Sequence, residues 1–311
     1  MYLCRINLKM MIRMKKYALF ALFLLVSFTM LVISCQREEP IEEPDQPVNP
    51  TPGGNNDDNA DTTAAFLYTG TVIPDAVTDV DGNHYNAVVI GNQVWMMENL
   101  VTTHFADGEE IPLTAGYSIS DVSTTLPLRY VPDAGTADVN VYGYLYNWSA
   151  VMHGALSSDA NPSGVQGICP DGWHVPSDAE WNDFADTVSS HPEYVLGDDI
   201  RNIDKALAST TCWHNSAYPH SAGNDQSLNN ATHFAMMPAG SWHGGSPGGC
   251  GLWYFALLWS CTENKDNTSR AWYRYINNQS ARAFHNHSNA HDSKATAMSV
   301  RCLRDTPANP R

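Results

Sequence analysis

Seven cysteines, a histidine-rich stretch, a carboxylate-rich turn and a set of tryptophans and tyrosines are the residues of this chain that could do chemistry. Cys35 is the most specific of them. It closes the run Leu31-Val32-Ile33-Ser34-Cys35, so a small residue precedes a thiol at the end of an apolar stretch. That is the layout of a bacterial lipoprotein signal, in which the thiol takes a diacylglyceryl group before the leader is cut away. Cys4 leaves with the leader. Cys169, Cys212, Cys250, Cys261 and Cys302 remain, and an odd number leaves at least one thiol free or paired outside the chain. No Cys-x-x-Cys occurs, which argues against a zinc ribbon or a thioredoxin-type redox site.

Two groups have metal-ligand character. Asp79, Asp81 and Asn83 carry the spacing of a calcium loop's first ligands, but Ile90 stands where the loop needs a glutamate. A plain Asp-Gly-Asn turn explains them equally well. His285, His287 and His291 with Asp292 could hold zinc or copper, yet their Asn, Ser and Ala neighbours read as a solvated loop with no defined ligand set. The sequence therefore predicts no metal and no cofactor. Trp242, His243, Trp253, Tyr254, Trp272, Tyr273 and Tyr275 form an aromatic set of the kind that stacks on sugar rings or proteins. Trp242-His243-Gly244-Gly245 and Pro247-Gly248-Gly249 read as a loop tip, so Trp242, His243, Trp253 and Tyr254 are the predicted ligand-binding residues. No nucleophile elbow between a strand and a helix, HExxH, P-loop or dinucleotide fingerprint is present, and no catalytic residue is predicted.

These residues must be positioned by a chain in four parts. Residues 1–34 read as a signal peptide: Lys15-Lys16 supply the charge and Tyr17 to Ile33 the apolar core, with Met11 or Met14 the more ordinary start. Gln36-Arg37-Glu38-Glu39 follow, whereas a stop-transfer helix prefers basic flanks. Residues 35–64 are the lipidated cysteine and a Pro-, Glu- and Asp-rich linker, expected to be extended and disordered. Residues 65–306 are one domain and 307–311 a tail. The whole chain carries a net charge of -16, and its leader holds only basic side chains, so the rest is more acidic still. Such a field excludes a nucleic-acid partner.

Within the domain, Asp79 to Asn83 read as a turn between extended runs, and Asn86 to Met96 as a hairpin around Gly91-Asn92. Ser177-Asp178-Ala179-Glu180 is a capping box opening a helix, with Trp181, Phe184, Ala185 and Val188 on its buried face. A second, shorter helix is predicted over Asp198 to Ala208. Strands are predicted at Phe234 to Met237, Leu257 to Ser260, Ala271 to Ile276 and Met298 to Leu303. Trp272 and Arg274 would share one sheet face, Tyr273 and Tyr275 the other. The class is α+β: a mixed, mainly antiparallel sheet with one or two flanking helices and long loops.

Several segments then match a known pattern in order. They are Asp81-Gly82-Asn83, Gly91 to Leu100, Tyr142 to Trp148, Cys169-Pro170-Asp171-Gly172-Trp173-His174-Val175-Pro176-Ser177, Pro238-Ala239-Gly240, Trp259-Ser260 and Ser299-Val300-Arg301-Cys302. From about Val77 to Asp305 the chain resembles the Fibrobacter succinogenes major paralogous domain, found in surface lipoproteins of Bacteroidetes and Fibrobacteres. The resemblance implies a layout similar to C-type-lectin-like and formylglycine-generating-enzyme-like folds, and no established activity. Glu38-Glu39 after the lipid cysteine resembles that group's surface-export signal. Neither Cys250 nor Cys261 lies in a match to the catalytic segment of a formylglycine-generating enzyme. Trp181-Asn182-Asp183 imitates a lectin calcium motif but falls on the helix.

With that layout, Cys169 leads into the helix and Cys302 ends the last strand, so a bridge between them would staple the chain's return, stabilising it by ~4–5 kcal/mol in the chain-entropy model. Cys250 and Cys261 are the second candidate pair, leaving Cys212 free; alternatively Cys212 pairs with one of them. The expected function is a non-catalytic binding or adhesion module for a glycan or protein ligand. It would be held at the outer membrane by the lipid on Cys35 and displayed at the cell surface. A structural subunit of a fimbria-like assembly is the first alternative and an enzyme acting on surface polysaccharide the second.

Overall fold

The N-terminal hairpins set the frame. In the computed structural model, which describes residues 69–114, 122–243, 251–284 and 290–305, β1 (Val72–Thr78), β2 (His84–Ile90) and β3 (Gln93–Met96) form an antiparallel meander. Ile90 pairs with Gln93, so Gly91-Asn92 is the whole loop, with Gly91 at φ +59 as such a turn requires. Val88, Ile90 and Trp95 face one core, Tyr85, Ala87 and Met96 the other. A sheet covered on both sides needs apolar residues at successive positions, which explains Ala87-Val88-Val89-Ile90.

The remaining strands are β4 (Arg129–Tyr130), β5 (Leu145–Asn147), β6 (Trp173–His174), β7 (Phe255–Glu263), β8 (Arg270–Asn277), β9 (His291–Ser293), β10 (Ala297–Met298) and β11 (Leu303–Arg304). They build three sheets, ordered β1-β2-β3-β11-β6, β10-β5-β4 and β7-β8-β9, and every strand pair is antiparallel. Helices are short: α1 (Pro132–Gly135), α2 (Val139–Tyr142), α3 (Trp148–Met152), α4 (Asp178–Ser189) and α5 (Asp204–Leu207). The class is α+β, as expected from the sequence. No helix among the described residues is long and apolar enough to cross a membrane.

The helix α4 starts where the capping box predicts. The Glu180 amide donates to the Ser177 hydroxyl (3.1 Å), and the Ser177 amide donates to the Glu180 carboxylate (2.9 Å). Trp181, Phe184, Ala185 and Val188 are buried. Trp181 stacks on Trp95 at 4.2 Å, while Phe184, Phe234 and Phe284 pack edge-on or tilted around the pair. From the outer side, Arg274 of β8 donates to Asp178 and Asn182 and is itself fully buried. Asn182 is thus a structural acceptor, and Asp183 accepts from Asn161.

Three expected elements differ. The second helix shrinks to α5, because Asp199 takes the Arg201 amide and guanidinium into a local turn and leaves Ile200 67% exposed. The segment Phe234 to Met237 is not a strand. It makes one parallel bridge, Met236 to Ala208, and Ala235 sits at φ +51. The run Met298 to Leu303 is divided between β10 and β11, which belong to different sheets.

The last two differences share a cause, Arg301. Its guanidinium is fully buried, donates from Nε to Asn99 Oδ1 (2.9 Å), from Nη2 to the Ala235 carbonyl (2.7 Å) and from Nη1 to the Phe234 carbonyl, and lies 4.6 Å over the Phe234 ring. Those carbonyls cannot also serve a strand ladder. Asn99 in turn donates to the Tyr142 carbonyl (2.8 Å) and Ser299 Oγ (3.2 Å). Gly143, at φ +78, is required here, since a Cβ would fall 2.6 Å from the Asn99 Cβ. Burial lowers the Arg301 pKa to about 9, partly offset by Glu98, so the group stays charged near neutrality. Next to it, Cys169 and Cys302 form a disulfide with Cα atoms 5.9 Å apart across 133 residues.

Replacing Arg301 by Met would take the donor from two buried acceptors, Asn99 Oδ1 and the Phe234 carbonyl, and from the partly buried Ala235 carbonyl. Arg301→Met is expected to cost about 3 kcal/mol or more, read as a lowered urea midpoint at unchanged slope. A loss below about 1 kcal/mol would show that these carbonyls have other partners.

Candidate functional site

The strongest candidate is the aromatic run Trp253-Tyr254-Phe255 at the start of β7. A tight turn builds it: the Tyr254 and Phe255 amides both donate to the Gly251 carbonyl at 2.9 Å. Gly251 lies at φ +79, and a Cβ there would sit 2.4 Å from Phe255 Cδ2. Trp253 itself lies at φ +70, a left-handed conformation costly for a tryptophan. Its amide donates to the Pro238 carbonyl (2.9 Å), its carbonyl accepts from the His214 amide (2.7 Å), and its indole Nε1 donates to Tyr142 Oη (3.0 Å). The ring is held by its edge, with 44% of the residue in solvent. Tyr254 (37% exposed) stacks on His214 at 4.5 Å, and Phe255 is 40% exposed. A pinned, half-open ridge of rings can stack against a flat apolar face at little entropic cost.

The four predicted ligand residues therefore divide. Trp253 and Tyr254 stand at the surface together. Trp242 does not join them: it is 1% exposed, stacks on Tyr130 at 4.5 Å and pairs with Ala297 through both backbone groups. It is a core residue, contrary to the loop-tip expectation, because a backbone bridge to β10 draws it inward. The partly exposed His243 has Nε2 2.9 Å from Ser241 Oγ and Nδ1 3.5 Å from Asp292 Oδ2. Sequence reasoning missed His214, whose role depends on a contact 40 residues away in the chain.

Of the two groups with metal-ligand spacing, the Asp79, Asp81 and Asn83 set does not converge on one point. Asp79 accepts from the Asp81 and Asn83 amides, Asn83 Nδ2 and Tyr85 Oη, so its carboxylate closes its own turn. Asp81 points away, to Thr102, Thr103 and His104. Burial would raise its pKa, but those hydrogen bonds outweigh it and lower the value to about 2. His291 sits edge-on to Trp272, and Asp292 faces Arg270 and His243. His285 and His287 lie outside the described residues, as do the leader, Cys35, the linker and the tail.

The cysteines are now partly assigned. Cys169–Cys302 forms, as expected from the places of the two cysteines in the sequence. The pairing of Cys250 with Cys261 is not made: Cys261 is a buried free thiol, and burial pushes its pKa up to about 12, so it is neither bridge nor nucleophile. Cys212, expected to be free in that scheme, is disulfide-bonded to a partner outside the described residues, where Cys250 also lies.

A second, shallower feature is an open cleft of about 410 Å³ beside β6, lined by Gln166, Asp171, Trp173, His174 and Asp305 among others. His174 is buried, with Nε2 2.8 Å from Glu180 and Nδ1 2.6 Å from Asp305. Burial opposes its charge, but the hydrogen bonds and charges of the two carboxylates prevail and raise its pKa. With both nitrogens engaged, it offers no free base to a substrate.

A mainly antiparallel α+β domain with an aromatic surface ridge is the class these observations define. The family model of the Fibrobacter succinogenes major domain matches residues 88–304, and the chain belongs to that family. No curated protein and no solved structure matches the chain.

His174 yields a pH test. Its raised pKa means the folded state favours the imidazolium, so its stabilisation is complete below the ordinary value of 6.5 and is lost as pH rises through the folded value. Denaturant titrations across this range should show stability falling in the native chain and a flatter profile in His174→Gln. Identical profiles would contradict the double carboxylate bridge.

Proposed function

We propose that this protein is a surface-displayed lipoprotein whose domain is a non-catalytic binding module, taking glycans on the Trp253-Tyr254-Phe255 ridge. The observation that carries the reading is Trp253, a large aromatic residue kept in a left-handed backbone conformation and half in solvent by three hydrogen bonds. Backbone strain and exposed apolar area both cost stability, and both occur together at binding sites. The stacked Tyr254–His214 pair extends the platform. Cys35 after its leader, and the acidic linker that follows, support a lipid anchor with reach beyond the headgroups.

Glycine adopts the left-handed region freely, so Trp253→Gly removes the ring while relieving the backbone. On a glycan array the variant should retain its circular dichroism and thermal midpoint but bind at least about tenfold more weakly. Metabolic labelling with a radioactive fatty acid should mark the native chain and leave Cys35→Ala, which keeps its leader, unlabelled. Equal glycan binding by Trp253→Gly, or no glycan binding by the native chain, would overturn the assignment; binding to matrix proteins alone would replace the ligand class.

A further inference from the structure

A different part of the domain brings together three ligand-type side chains. Asp107 and Glu109 lie on the turn of a tight hairpin, closed by the Phe105 amide to the Glu109 carbonyl (2.8 Å) and the Gly108 amide to the Phe105 carbonyl (2.9 Å). His153 comes from the residue that ends α3. Its ring lies parallel to Phe105, with centroids 3.7 Å apart and planes 7° apart, so its direction is fixed. Nε2 stands 3.7 Å from Asp107 Oδ2 and 3.6 Å from Glu109 Oε2.

Those separations differ from three other imidazole–carboxylate pairs of this molecule, which close to hydrogen-bond length, and resemble the open His243–Asp292 pair at 3.5 Å. His174 meets Glu180 at 2.8 Å, His104 meets Asp81 at 2.6 Å, and His84 meets Asp75 at 2.6 Å. At His153 neither carboxylate comes within hydrogen-bonding distance. The three residues' ligand atoms lie within 4.8 Å of one another. Rotation of the two exposed carboxylates about their side-chain bonds suffices to bring one oxygen of each, with Nε2, to the roughly 2.0–2.2 Å bonds that nitrogen and carboxylate oxygen make to zinc.

We propose that Asp107, Glu109 and His153 bind one divalent first-row transition ion of the zinc type. The imidazole favours such an ion over calcium or magnesium, which prefer oxygen alone. The two carboxylates neutralise its charge, and the stacked Phe105 limits the ring's motion. Three protein ligands leave at least one position open, and Asp107 and Glu109 are exposed, so the ion faces solvent and can accept an oxygen donor from a bound ligand. The sequence carries only half a signal for this group: Asp107-Gly108-Glu109 is visible as an acidic turn, but His153 is distant in the chain.

Isothermal titration of the purified full chain with zinc chloride, and with calcium chloride as a control, tests the site. The expected result is a saturable zinc event of one ion per chain that weakens at least about tenfold in His153→Gln and in Asp107→Asn/Glu109→Gln, with calcium weaker. Nuclear magnetic resonance of the His153 ring should show its Nε2 metallated. Unchanged zinc binding in both variants, attributable to His285, His287 and His291, would overturn the proposal. So would the absence of saturable binding in the native chain, which would leave an exposed set of ion pairs.

Discussion

The buried Arg301 guanidinium is the constraint on which the rest of the structure depends. A charged group deprived of water must be given acceptors, and this one takes three, from segments far apart in sequence: Asn99 after β3, and the carbonyls of Phe234 and Ala235. Asn99 spends its amide donors on the Tyr142 carbonyl and on Ser299. One node thereby joins the N-terminal meander, α2, the irregular segment before the aromatic ridge and the crossing between β10 and β11. The neighbouring Cys169–Cys302 bridge ties the same crossing to the approach to α4.

This arrangement explains how a domain with few regular elements keeps a defined shape. Between β10 and β11 the chain passes from one sheet to another. Its groups pair across sheets as it goes: the Leu100 amide donates to the Val300 carbonyl, the Met96 amide to the Cys302 carbonyl, and the Trp259 amide to the Ser299 carbonyl. The aromatic cluster of Trp95, Trp181, Phe184, Phe234 and Phe284 fills the space between α4 and the meander. Phe234 belongs both to that cluster and to the arginine node. Trp253 is held from the same frame, through Pro238 on one side and Tyr142 on the other.

What could be read in the sequence follows from the range of the signals. The Gly91-Asn92 hairpin and the Ser177 capping box depend on residues a few positions apart, and both are formed as read. The alternation in β8 holds only from Tyr273 onward: Arg274 and Ile276 are buried while Tyr273 and Tyr275 are partly covered, but Trp272 is also only partly covered and Ala271 is buried. The misreadings were at residues governed by distant partners or, for the second helix, by a local turn that competes with it. Ile203 and Leu207 are buried but Ile200 is exposed, because the Asp199–Arg201 turn removes the first half of the helix. Phe234 to Met237 looks like a strand until Arg301 claims its carbonyls. Of the candidate site, Trp253 and Tyr254 were legible as aromatic residues beside a glycine-rich loop, whereas the backbone bridge that buries Trp242 was not.

The central claim is that the Arg301–Asn99 node makes the meander, the sheet crossing and the ridge support one cooperative unit. Native-state hydrogen exchange of the Met96, Leu100 and Trp259 amides tests it most directly. If the claim holds, all three exchange only through global unfolding in the native chain, and in Asn99→Ala their protection falls together by the same free energy. Separate opening free energies in the native chain, or loss confined to Leu100 in the variant, would contradict it.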